Sequence, residues 1–183
     1  MAKTEKRAID KVFISLGVVM TAALLVIGGL AWYGYTFATD MVRTELSAQK
    51  VFFPDKDSAA LAALPADDQA AMNKYAGQQL VNGEQAQVYA NHFIAVHLNG
   101  IAGGKTYSQV SAEAMLDPTN QTLQTQKAVL FQGETLRGLL LGDGYAYWTF
   151  GMLAGYAAIA SFVGAGVMML LVFLGLHHLA KLK

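Results

Sequence analysis

The sequence contains no cysteine, which excludes a disulfide framework, a thiolate nucleophile, cysteine-ligated zinc and a thiolate-held iron–sulfur cluster. Charge is scarce as well. Only 14% of the 183 residues are charged against 54% hydrophobic, and mean hydropathy is positive, which points to a membrane protein rather than a soluble domain. Thirteen basic and thirteen acidic residues cancel, so no overall charge marks a nucleic-acid partner. A nucleophile motif of the G-x-S-x-G type, a phosphate loop and a dinucleotide fingerprint are all missing; GIAGG at Gly100–Gly104 has neither the spacing nor the preceding strand. No stretch alternates β-branched and polar residues, and no internal repeat is present. These absences predict an all-α chain without catalysis, bound metal or cofactor.

What is present begins with two long uncharged runs. Val12–Thr39 carries no charged residue over 28 positions, and Gly144–Ala180 carries no Asp, Glu, Lys or Arg over 37. About 20 apolar residues suffice to cross a bilayer as a helix, so each run is long enough to span. Trp32, Tyr33 and Tyr35 close the first run, and Tyr145, Tyr147 and Trp148 open the second; such rings favour the headgroup zone, which places both clusters at one interface. The N-terminal and C-terminal tails together carry a net charge of +4 and the segment between the runs −4. The positive-inside tendency then puts both termini in the cytoplasm of a two-span plasma-membrane protein. The predicted divisions are a basic tail (1–11), a first transmembrane helix (12–37), an extracytoplasmic domain (38–144), a second transmembrane helix with interfacial ends (145–178) and a short tail (179–183). Because the first run is far longer than the 7–15 apolar residues of a signal peptide, an uncleaved anchor is expected.

Within the external segment the periodicity is helical. Asp57 or Ser58 is the expected cap of a short alanine–leucine turn, and Pro65 ends that turn or begins the next helix. "PADDQAAMNKYAGQQLV" has acid in its first turn and Met72, Tyr75 or Ala76, and Leu80 at helical spacing. Asn82-Gly83 reads as a break, Asn99-Gly100 as a C-terminal stop, and Thr106 or Ser108 as a cap. After Asp117-Pro118 a longer helix is expected to end at Gly142-Asp143-Gly144. The segment Val51–Pro54 looks extended, with Phe52 and Phe53 packed on the domain or the membrane surface.

Two histidines, His92 and His97, lie in the apolar run "YANHFIAVHL". At 100° per residue they differ by about 140°, whereas metal-binding pairs on one helix usually sit three or four apart. They are therefore expected at opposite borders of a packed stripe of Tyr89, Phe93 and Val96, as amphipathic side chains at the rim of a buried helix, with contact to a partner or a pH-sensitive role as the alternative and metal binding last. Glu84, Glu113 and Asp117 are the acids that folding could bring to them. His177 and His178 read as interfacial anchors at the end of the second run. Glu134 and Arg137 are spaced for an intrahelical ion pair, or else mark a docking surface beside the membrane. Gly133 and Gly138 flank them at a cost of about 1 kcal/mol each in a helix, which suggests close approach by another element.

Small residues mark both runs: Gly17, Thr21 and Gly28 on one face of the first, and the pair Gly151 and Gly155 together with the row Ala157, Ser161 and Ala165 in the second. Such faces allow helices to pack closely, first with each other and then, through a second face, with another membrane protein or a second copy. With no ionisable residue but the terminal histidines in either run, an ion path through the chain is not expected.

In the order "YANHFIAVHL", "GGKTYSQVSAEAM", "VLFQGETLRGLLL" and a glycine-rich final run, the chain resembles a family of uncharacterised actinobacterial two-span membrane proteins along nearly its whole length. The resemblance implies the two-span topology and an external helical segment. Some relatives carry the label of aromatic ring-opening dioxygenases, whose iron is held by two histidines and a carboxylate. The histidines here fall in two pairs at opposite membrane faces, a distribution that does not support that label. The sequence therefore predicts a noncatalytic accessory or scaffolding subunit of a larger envelope or respiratory membrane complex, or alternatively an external sensor of pH or a small ligand.

Overall fold

The computed structural model describes residues 3–181; Lys183, part of the expected basic tail, lies outside them. Every regular element among the described residues is helical: α1 (Lys3–Ala48), α2 (Ala59–Ala62), α3 (Ala66–Asn73), α4 (Gly83–Tyr89), α5 (Ala95–Ile101), α6 (Tyr107–Leu116), α7 (Gln121–Leu139) and α8 (Tyr147–Lys181). Two π-helical segments, Ala90–Ile94 and Leu140–Ala146, join α4 to α5 and α7 to α8. The chain divides into two compact units. One is Met1–Phe37 with Phe150–Lys183, the other Ala38–Thr149.

The first unit is a pair of long apolar helices, each long and apolar enough to cross a membrane. Contacts across the pair run antiparallel in one register. A Cβ on Gly17 would stand 2.6 Å from Val172, one on Gly28 2.8 Å from Phe162, one on Gly155 2.9 Å from Tyr35 and one on Gly175 2.9 Å from Ile14, so partners later along one helix are earlier along the other. Along α1 the less exposed positions Ile14, Gly17, Thr21, Leu24, Gly28, Ala31 and Tyr35 alternate steps of three and four, the spacing of knobs-into-holes pairing. Thr21 is buried there, and its hydroxyl donates to the Gly17 carbonyl at 2.8 Å, so no polar group is stranded. On α8, Gly151, Gly155, Ala158 and Ala165 are buried and Ser161 is half-buried. Ala157 departs from the expected row: it is exposed, and Ala158 takes the buried place. A row of strict four-residue steps drifts about 40° per step round an α-helix, whereas the seam returns by a step of three at 155–158.

Large apolar side chains of this unit point outward. Phe13, Val19, Leu30, Val163 and Phe173 are all more than half exposed. Only 17% and 11% of the most apolar windows of the two helices is buried, the opposite of a core helix in a water-soluble protein.

The second unit has a conventional core in which Met72, Leu80, Val110 and Leu130 are fully buried beside Phe53, Leu61 and Ile94. Its short helices begin where side chains supply missing acceptors. Ser58 caps α2, and Pro65 precedes α3. Asn82 accepts from the Gln85 amide at 2.9 Å, so the expected break is a helix start. Thr106 and Gln109 form a reciprocal capping box on α6, and Asn120 caps α7.

Several expectations are corrected. Helix α3 stops at Asn73, and Leu80 reaches the core from an extended segment, its amide bonded to the Val51 carbonyl at 2.9 Å and its neighbour Gln79 bridged to Phe52. Extended chain sends successive side chains to opposite faces, so Phe53 is buried while Phe52 is exposed. Asn99 and Gly100 lie inside α5, and the turn follows at Gly103 and Gly104, whose φ values of 61° and 83° suit glycine. Gly142-Asp143-Gly144 does not end a helix. The π segment absorbs the two glycines, and Gly144 faces Ala86, where a Cβ would stand only 3.0 Å from that methyl group.

Candidate functional site

The histidine helix differs from a uniform α-helix. Besides Gly83 and Gln85 at its start, its buried residues are Ala86, Ala90, Ile94 and Leu98, at successive intervals of four, while Tyr89, Phe93 and Val96, the expected packed stripe, are only partly buried. The π turn at Ala90–Ile94 explains the shift. It takes up one extra residue, so positions four apart stay aligned across it, and His92 and His97 diverge by less than a uniform helix would give.

His92 is half-buried, and its Nδ1 lies 2.7 Å from Oδ1 of Asp68 in the first turn of α3. That pair ties α3 to the π turn. His97 is exposed; its Nδ1 donates to the Phe93 carbonyl at 2.7 Å, and its ring packs on the Phe93 ring at 4.4 Å. None of the three acids singled out from the sequence is a histidine partner. Glu113 holds Lys105 at 2.8 Å, Asp117 accepts from Thr119 and Asn120, and Glu84 is exposed at the start of α4. No group of three potential metal ligands comes together among the described residues. Beside the histidines, Tyr89 packs edge-on to Phe53 at 5.3 Å, and burial raises its phenol pKa above the ordinary value.

On α7, Arg137 reaches Glu134 at 3.3 Å and Asn91 at 3.2 Å, so the i, i+3 pair also anchors α7 to the first π segment. Arg137 Nε and Trp148 Nε1 are buried without a hydrogen-bond partner among the described residues. Gly133 and Gly138 part company. A Cβ on Gly133 would collide with Leu98 of the same domain, so its close approach is internal, whereas no atom would lie within 4 Å of a Cβ on Gly138. Phe131, Thr135, Gly138 and Gly142 therefore form an exposed stripe with two open glycines.

A cleft that sequence reasoning missed lies on the other side of α7. Its volume is about 450 Å³, and its walls are Met41, Val42 and Leu46 of α1 with Leu136, Leu139, Leu140 and Tyr147 from α7, the second π segment and the start of α8. Glu45 and Asp143 also line it, both exposed and neither in an ion pair among the described residues. The two carboxylates are 98 positions apart in sequence, and no local pattern links them.

In the helix pair, a smaller cavity of about 260 Å³ is lined by Asp10, Gly17, Met168, Gly175 and His178, among others. Asp10 Oδ2 is buried there without a hydrogen bond among the described residues, and His178 Nε2 lies 3.9 Å away. His177 and His178 are themselves exposed, as interfacial side chains would be.

Comparison with known proteins finds no matching family model, no similar curated protein and no similar solved structure.

Proposed function

We propose that the chain is a noncatalytic two-span protein of the plasma membrane, with both termini cytoplasmic, whose external helical domain docks another membrane protein as an accessory or scaffolding subunit. The observation that carries this reading is the inverted packing of the helix pair: small residues meet inside and large apolar side chains face out. In water that arrangement would leave those apolar side chains uncovered at roughly 25 cal/mol per Å², whereas lipid covers them. The stripe Phe131–Thr135–Gly138–Gly142 is the face offered to a partner, because open glycines let a second backbone approach. Purification of the tagged chain in a gentle detergent should yield a stoichiometric partner that is lost in Gly138→Leu. A lone protomer at every detergent concentration counts against the scaffold role.

A further inference from the structure

The cleft between α1 and the second π segment is a concave, apolar space whose charged lining residues are all of one sign. Its volume of about 450 Å³ falls in the range of small-molecule sites, and Met41, Leu139 and Tyr147 expose apolar surface into it. Glu45 and Asp143 bring two carboxylates and no lining residue is cationic, so the site favours a positive charge on an apolar body. The π segment forms one wall, and such segments recur where a helix is widened for function. A membrane aminophospholipid suits the site poorly, because its phosphate would sit against the same two carboxylates.

From this we infer that the cleft binds a free hydrophobic amine: an aromatic or aliphatic body seated on Met41, Leu136, Leu139 and Tyr147, with its ammonium group drawn to the carboxylates of Glu45 and Asp143. The ammonium donates charge-assisted hydrogen bonds to carboxylates in no ion pair among the described residues, while the apolar body covers the exposed apolar side chains of the lining. This site is separate from the open-glycine stripe, since Leu136 and Gly138 lie about 200° apart round α7.

The test uses the full chain in phosphatidylcholine nanodiscs, titrated with dansylcadaverine, a primary amine whose fluorescence rises in an apolar site. Saturable one-to-one binding is expected, with dansylglycine, the carboxylate counterpart, failing to compete. Glu45→Gln with Asp143→Asn together should weaken binding at least about tenfold, as loss of a charged hydrogen bond implies. Both positions are exposed, and an unchanged far-ultraviolet spectrum checks that the fold persists. Equal binding by the double variant, equal binding of dansylglycine, or no saturable binding overturns the proposal. Displacement of the probe when phosphatidylethanolamine is added to the nanodiscs overturns it too, by assigning the cleft to a lipid headgroup.

Discussion

The helix pair and the helical domain use opposite residues for the same task. In the pair, Gly17, Gly28, Gly155 and Ala158 are inside and Phe13, Val163 and Phe173 outside. In the domain, Met72, Leu80, Phe53 and Leu130 are inside, and most charged residues are at the surface, with Asp68, Glu113 and Arg137 half-buried in ion pairs. Burial of large apolar groups is a driving force only where the alternative is water; in lipid, close packing of small residues takes its place. One chain thus carries two packing rules, and the change between them falls near residues 37 and 150.

The largest effect that would sharpen this contrast is expected from Met72→Ala. Met72 is fully buried, and truncating such a side chain costs about 2–5 kcal/mol, to be read from the denaturation midpoint of the domain with helix-pair signals unaffected. Val163→Arg places a charge on the outward face of α8 and should disfavour insertion by about 2.5–3.5 kcal/mol in a glycosylation-mapping assay; an unaltered inserted fraction breaks the comparison. Gly28→Leu drives a side chain into Phe162 and should cost about 1–3 kcal/mol of helix pairing, measured by energy transfer between labels on the two helices. Its neighbour Gly29, with open space beyond it, should tolerate Leu.

Smaller still is the effect of titrating Tyr89. Burial raises its pKa, so the folded state holds the phenol proton more tightly than the unfolded chain does. The associated stability is fully present below the unfolded value near 10 and is lost as pH rises from there through the folded value. Alkaline unfolding of the domain should begin above roughly pH 10 and move to higher pH in Tyr89→Phe, followed by circular dichroism.

Much of the architecture was legible in the residues. The uncharged runs mark α1 and α8, and Ser58, Thr106 and Asp117-Pro118 mark local starts and stops that the structure keeps. The π turns were not legible, because hydrophobic periodicity was read at 100° per residue and one extra residue shifts every later position. That is why Ala90, Ile94 and Leu98 replaced Tyr89, Phe93 and Val96 as the packed stripe, and why Gly142-Asp143-Gly144 looked like an end. Long-range pairs were equally silent. His92 meets Asp68 across 24 positions, and the Glu45–Asp143 cleft assembles only when both ends of the domain fold together. Gly133 looked like an invitation to a partner, and Leu98 of the same domain fills it.

The absence of native cysteine allows a direct test of the central claim, that the helix pair is solvated by lipid and the domain by water. Single cysteines at Val19 and Val163, on the outward faces of α1 and α8, and at Leu116 and Thr125, exposed on the domain, would be treated in intact cells with a membrane-impermeant maleimide. Rapid labelling of Leu116→Cys and Thr125→Cys with none of Val19→Cys or Val163→Cys is the predicted result. Labelling of Val163→Cys as fast as Leu116→Cys would contradict it.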